Sequence, residues 1–188
     1  MPRQQRIWFP GISYRIEAQG IRNSRLFYDE KDYSHYTYLL TKLKSDYDFD
    51  LHAYSLLPNK IHLLIETFHT NLSTVMHRLQ TSYAMYFNRR HQLRGHVFQG
   101  RYLSEPLKDE THFFETSQFI HLTPLREDLG NDLLAYRWSS AREYLSPQPA
   151  EEPLHPLLTL DRTLRLFPSP KHQYFEEFLF QPMNSEIL

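Results

Sequence analysis

The chain has 188 residues, 40% of them hydrophobic and 15% aromatic, which supplies one packed domain of ordinary size with or without a decorated tail and excludes disorder as the default. It holds no cysteine, so disulfides, thiolate metal sites and cysteine nucleophiles are ruled out. The formal net charge of -1 argues by itself against a nucleic-acid partner, yet residues 1–107 carry 14 Lys and Arg against 9 Asp and Glu, while 108–188 carry 7 against 13, so positive charge is concentrated in the first part.

Residues 1–10 contain Arg3 and Arg6 but no apolar h-region, and no stretch approaches the roughly 18 apolar residues of a membrane span. The expectation is a soluble, cytoplasmic protein without a membrane partner. Ile12, Tyr14 and Ile16 alternate with polar residues over 12–18, the pattern of a half-buried strand. Residues 29–45 place Tyr33, Tyr36, Leu39, Leu40 and Leu43 at helical spacing behind an acidic start suited to a helix N-terminus. Residues 52–57 and 61–66 flank Pro58 and Asn59 and read as a hairpin. On its second strand Ile61, Leu63 and Ile65 share one face, which leaves Lys60, His62 and Leu64 on the other.

Asn71 is placed to cap a helix over 72–91, the longest expected, with a stripe of Leu72, Val75, Met76, Leu79, Tyr83, Tyr86 and Phe87. Gly95 and Gly100 bracket a loop leading to a strand near 102–107, after which Asp109 caps a helix to about Leu122, with Pro124 as its stop. The order βαββαβα predicts a ferredoxin-like α+β fold: an antiparallel sheet with helices on one face and the other face open to a ligand. Short helices are expected over 139–144, 157–167 and 174–180, with a Pro- and Glu-rich linker over 146–156. This divides the chain into a main domain, 1–145, and a C-terminal extension, 146–188, packed on it.

Two clusters carry chemistry. Residues 88–101 hold four arginines, two histidines and no acid at a helix end and in a Gly-flanked loop. Arg89, Arg90, His91, Arg94, His96, Gln99 and Arg101 suit phosphate oxygens, and Phe98 an unpaired base, although such arginines also favour a helix C-terminus. In the second cluster His62 stands on a strand beside Lys60. One strand histidine is half of a metal site at most, and an adjacent ammonium opposes a divalent cation. Phe119 and Thr123, four apart, share a helix face, and Phe113, Phe119, Ile120 and Leu122 read as core. The chain has no G-x-S-x-G elbow, phosphate-binding Gly loop or HExxH helix.

The segments LLPNKIHLLIE, YFNRRHQLRGHVFQGRY and FIHLTPLRE, in that order, resemble the "MPNHxHLLIE", "FNRRHxRxGHLFQGRY" and "YIHLNPVRA" of the REP-associated tyrosine transposases and the wider single-tyrosine HUH transposase family, which is bacterial. PGISYRI, YRWSSAREYL and LDRTLRLF extend the resemblance over most of the chain. It implies a ferredoxin-like fold that binds hairpin-forming single-stranded DNA, such as repetitive extragenic palindromes. It further implies a divalent metal, Mg or Mn, held by two histidines and a polar helix residue while a helix tyrosine attacks the phosphate. This sequence departs from the pattern at three positions: Lys60 matches the first histidine, Phe119 the tyrosine and Thr123 the asparagine. Only His62 remains as a metal ligand, so no catalytic position is intact, and no cofactor is expected unless cleavage persists. The basic motif is kept nearly whole. The expectation is a monomer or homodimer that binds structured single-stranded DNA, with RNA as another substrate, and cuts poorly or not at all. Two alternatives stand. One is a working metal-dependent nickase with a displaced nucleophile, Tyr83, Tyr86 or Tyr102, served by His52, His91, His96 or His121. The other is a protein-interaction module presenting Tyr174, Phe175, Phe178 and Phe180.

Overall fold

A computed structural model describes residues 8–146 and 157–182. Four strands, β1 (Ile12–Gln19), β2 (Phe49–Leu56), β3 (Lys60–Thr67) and β4 (Leu103–Pro106), form one antiparallel sheet in the order β2-β3-β1-β4. Helices α1 (Glu30–Asp46) and α2 (Leu72–His91) supply the crossovers of the ferredoxin-like pattern. The Asp29 carboxylate accepts from the amides of Lys31 and Asp32, and Asn71 Oδ1 accepts from the Ser73 amide, so both helices begin where their capping side chains satisfy otherwise orphaned N–H groups.

The strand alternation sorts the two faces. Tyr14, Ile16 and Ala18 of β1 and Ile61, Leu63 and Ile65 of β3 bury against α1 and α2, with Tyr36, Leu40, Val75, Leu79 and Tyr83 from the helices. Burying each such aliphatic side chain contributes about 1.5–3 kcal/mol before chain entropy is counted. In β2 the alternation breaks at a bulge between Leu51 and Ala53, so Leu51 and Tyr54 both reach this core while His52 and Ala53 pass to the opposite side. No period-2 reading of the sequence contains that extra residue.

The opposite face differs from its sequence expectation. Helix α3 (Glu110–Arg126) lies across it, packing Phe113 and Ile120 on Ala53 and Leu64, so this face is covered rather than open. Pro124 does not end α3 but sits buried within its last turn. The Thr123 hydroxyl donates to the Phe119 carbonyl at 2.7 Å, and the amides of Glu127 and Leu129 close the end on the carbonyls of Thr123 and Pro124. A proline so near the C-terminus removes one helical donor, and the surrounding bonds and burial offset that loss.

A smaller core joins Leu133, Ala141, Tyr144 and Leu145 to Phe175 and Leu179, drawing on α4 (Ala141–Leu145) and α6 (Lys171–Leu179). Gln118 of α3 donates to the carbonyls of Phe178, Leu179 and Gln181, satisfying the end of α6. The helix expected over 157–167 shrinks to α5 (Asp161–Leu164). Its first residues instead run extended along β2, where the Thr159 amide donates to the Leu51 carbonyl. Ser140 likewise donates to Tyr54, so two segments cover the outer edge of β2 and block it from pairing with another chain. Most of the linker expected over 146–156 lies outside the described residues. Among the described residues no helix is long and apolar enough to cross a membrane.

Candidate nucleic-acid interface

Helix α2 ends at His91, with Gln92 in the left-handed region (φ 54°) and its amide on the Asn88 carbonyl. The chain then folds back: Asn88 Nδ2 donates to the Gly95 carbonyl at 2.9 Å, the Ile21 amide to Val97, and the Gln99 amide to Gln19. Gly20 has to be glycine, because a Cβ there would stand 2.0 Å from the Ser24 carbonyl oxygen. These ties fix the course of residues 95–101 beside α2 and leave a groove of about 770 Å³, lined by Gln80, Met85 and Asn88 of the helix and by Phe98, Gln99 and Arg101 of the loop.

His96, Gln99 and Arg101 are exposed along this groove and Arg89 and Arg94 are exposed at the adjoining end of α2 and in the loop, and none of the three arginines has an ion-pair partner among the described residues. Three other motif residues face inward, against the expectation that all would meet a ligand. Arg90 forks onto the Asp29 carboxylate at 2.6 and 2.7 Å and also bonds Asp32; this fork holds the Asp29 carboxyl at about 2. His91 Nε2 lies 2.9 Å from the buried carboxylate of Asp32. Phe98 is 8% exposed and belongs to the main core beside Tyr83, and the little that remains accessible faces the groove. The bonds tie the end of α2 to the start of α1 and thereby aim the loop. Arg22 and Arg25, both exposed, adjoin the same surface through the Ile21–Val97 bond. Sequence reasoning missed them because more than sixty residues separate them from the motif they extend.

On the other face of the sheet the structure brings Lys60, His62, Phe119 and Thr123 together. The His62 ring meets the Phe119 ring edge-on at 5.5 Å, and the Arg15 and Arg126 guanidinium carbons stand 4.5 and 5.5 Å from the centre of Phe119. His62 is 2% exposed, and burial, helped by Lys60 and Arg15, lowers its pKa to about 3, so the imidazole is neutral. Its Nδ1 has no hydrogen-bond partner and lies 3.9 Å from a Glu17 carboxylate oxygen. Lys60 pairs with Glu127 at 3.6 Å. These residues do not fit a divalent metal. An ammonium occupies one ligand position, Phe119 offers no oxygen, and the Thr123 hydroxyl proton is directed into its own helix. Among the described residues no group of three or more His, Asp and Glu could hold an ion.

The other histidines and tyrosines considered for catalysis are scattered. His52 bonds Glu66 at 3.1 Å and faces the Thr159 carbonyl, and His121 bonds Ser140 at 2.8 Å in full burial that lowers its pKa to about 3. Tyr83 and Tyr102 sit in the core on the α1/α2 side, where the Tyr83 hydroxyl donates to Leu26, and Tyr86 donates to the Lys31 carbonyl. Of the C-terminal aromatics, Phe175 and Phe178 pack inward, whereas Tyr174 and Phe180 are 41% and 62% exposed.

The fold and this centre define an α+β protein, a four-stranded antiparallel sheet with crossover helices on one face and a covering helix on the other. The family model described as "Transposase IS200 like" matches residues 12–122, more than half of the chain, and the chain belongs to that family of DNA transposases. No curated protein matches by sequence. Among solved structures, a REP-associated tyrosine transposase bound to a REP hairpin is similar with a TM-score of 0.64 and 15% identity, over 76% of this chain and 84% of that one, and supports the fold. Two structures of a bacterial tRNA(His) guanylyltransferase-like protein match more loosely. The complex with GTP has a TM-score of 0.36 and 11% identity over 66% and 72% of the two chains, and the complex with ATP 0.39 and 10% over 93% of each.

Proposed function

We propose that this protein binds structured single-stranded DNA, of the hairpin-forming palindromic kind, through the groove beside α2, and acts by occupying its site rather than by cutting it. The observation that carries this reading is the contrast between Arg89, Arg94 and Arg101, exposed without carboxylate partners beside a groove, and Phe119, a ring without a hydroxyl at the position of the attacking tyrosine. The solved structure of the same fold that is bound to a REP hairpin supports the choice of a hairpin. The arginines position the backbone by charge, and the polar rim of Gln80, Asn88 and Gln99 reads the edges of unpaired bases.

The test is electrophoretic binding to a hairpin library in moderate salt, followed by incubation with Mg²⁺ or Mn²⁺ and a search for adducts that survive denaturant. The expected result is hairpin preference over a random single strand with no adduct. Equal binding to both, preference for the RNA version, or a covalent adduct would each refute it.

A further inference from the structure

We infer that the outer seam between α1 and α2 is a track for unpaired bases, in which Tyr28 and Tyr38 offer stacking faces, the His35–Tyr86 pair stands between them along α1, and Lys31 and Lys42 meet the phosphates. The inference rests on the reading that the protein binds structured single-stranded DNA. It assigns the unpaired part of that ligand to the helical layer, on the side of α2 away from the groove.

Three observations carry it. First, α1 turns a stripe of cations and rings outward. Lys31, His35, Tyr38 and Lys42 follow one another by four, three and four residues and so share one helix face, with His35 half-buried and the other three exposed. Neither lysine has an ion-pair partner among the described residues. The acids at the head of α1 are engaged elsewhere: Glu30 pairs with Arg137 at 3.2 Å, and Asp29 and Asp32 are held by Arg90 and His91. Asp46, one turn beyond Lys42, ends the stripe, and α2 contributes no acid over its 20 residues. The seam therefore attracts a polyanion along its length.

Second, the rings are held in place while their outer surfaces stay free. His35 stacks on Tyr86 with centroids 3.6 Å apart and planes 12° apart, and the Tyr86 hydroxyl donates to the Lys31 carbonyl. Burial lowers the His35 pKa, against the pull of Asp32, so the imidazole is neutral. Tyr38, 5.9 Å from His35, is 58% exposed, and Tyr28, which leans on Phe87 and His91 at 5.0 and 4.6 Å, is 49% exposed. Tyr36 and Tyr83 of the same two helices are fully buried, so the core does not call on the outer rings. A ring already fixed by its neighbours loses little freedom when a base stacks on it.

Third, the alternation suits an unpaired strand. Bases inside a duplex have both faces covered, whereas an unpaired base has a free π-face, and rings interleaved with cations are what holds such a strand. Lys31 and Lys42 are eleven residues apart, about 16 Å along the helix, room for several nucleotides. The ridge of α2 separates the groove, which takes Met85 and Asn88, from the seam, which takes Tyr86. A helix is about 10–12 Å across, so one ligand can meet both.

The experiment uses the full chain and labelled hairpins, with and without a single-stranded flank, in which the fluorescent base 2-aminopurine replaces each unpaired base in turn. We expect binding to quench one or two unpaired positions. Tyr38→Ala and Tyr28→Ala should each relieve quenching and weaken affinity about tenfold, Tyr38→Phe should keep both, and Lys42→Ala should lower the salt slope by about 1. Quenching confined to the loop or to the flank tells which of them supplies the bases. If the hairpin binds but both alanine variants bind and quench like the parent, if Tyr38→Phe loses as much as Tyr38→Ala, or if Tyr38→Ala weakens a fully paired duplex equally, the track is refuted while hairpin recognition stands. If no hairpin binds, both readings fail together. Circular dichroism of the two alanine variants separates a lost contact from a lost fold.

Discussion

The groove beside α2 and the cluster around Phe119 handle positive charge in opposite ways. Along the groove and the adjoining end of α2, Arg89, Arg94 and Arg101 stand in solvent without a carboxylate, and the acids that reach the end of α2, Asp29 and Asp32, are engaged by Arg90 and His91. Around Phe119, Lys60 and Arg15 are each matched by a carboxylate, and the central side chain is apolar. A surface that keeps its cations unpaired retains its full attraction for phosphate, whereas a paired cluster has to exchange partners before it binds. The two regions therefore differ in what they offer a nucleic acid: the arginines beside the groove keep their long-range attraction, whereas Lys60 and Arg15 are already matched within the protein.

The strongest challenge to that comparison is to remove the unpaired charge. Replacing Arg89, Arg94 and Arg101 together with alanine is expected to weaken hairpin binding by about a hundredfold to a thousandfold at 0.1 M salt and to lower the salt slope by about 3, since each phosphate contact contributes close to one. Their exposure predicts a near-wild-type melting temperature. Fluorescence anisotropy across a salt series checks both parts, and a triple variant that binds like the parent would remove the distinction between the two surfaces.

The next effect is on stability rather than binding. Asp32 is fully buried and receives Arg90, His91 and the Tyr28 amide. Asp32→Ala leaves those donors without their acceptor and is expected to destabilise the fold by about 3 kcal/mol, read as a shift of the denaturant midpoint. Arg90→Ala, by contrast, removes a half-exposed fork, and its binding loss is expected to follow the loosening of the loop instead of a lost phosphate. A binding loss for Arg90→Ala with the loop unchanged in hydrogen exchange would move Arg90 into the same group as Arg94.

The main elements were legible in the chain because their signals are local. The caps Asp29, Asn71 and Asp109 and the apolar stripe of residues 72–91 lie within a few positions of what they specify. The misreadings share a different cause, which is that tertiary contacts decided them. Pro124 stays in its helix because neighbouring bonds and burial accommodate it, and residues 157–160 leave the helical pattern because the edge of β2 offers backbone partners. The second face of the sheet is closed because α3 carries Phe113 and Ile120 at core spacing, a feature readable as an apolar stripe but not as a docking site. In the basic motif, residue type alone could not separate Arg90, His91 and Phe98, which are held within the protein, from Arg94 and His96, which are not. For Arg90 and His91 that separation depends on Asp32, some sixty residues upstream, and for Phe98 on the main core beside Tyr83.

The smallest expected effect is also the sharpest test of the Phe119 side. Phe119→Tyr adds one oxygen to a partly exposed ring and is expected to change stability by less than about 1 kcal/mol. With Mg²⁺ or Mn²⁺ and a labelled hairpin it should yield no adduct on a denaturing gel. A tyrosine oxygen attacks a phosphate only when the phosphate is polarised and the leaving oxygen stabilised, and Lys60 still holds the place of a metal ligand while the Thr123 hydroxyl proton points into its helix. Adding Lys60→His and Thr123→Asn completes the ligand pattern, and that triple variant is the one in which an adduct becomes chemically allowed. An adduct from Phe119→Tyr alone would show that the cations around the ring already do the work of a metal and that the centre lacks only its hydroxyl.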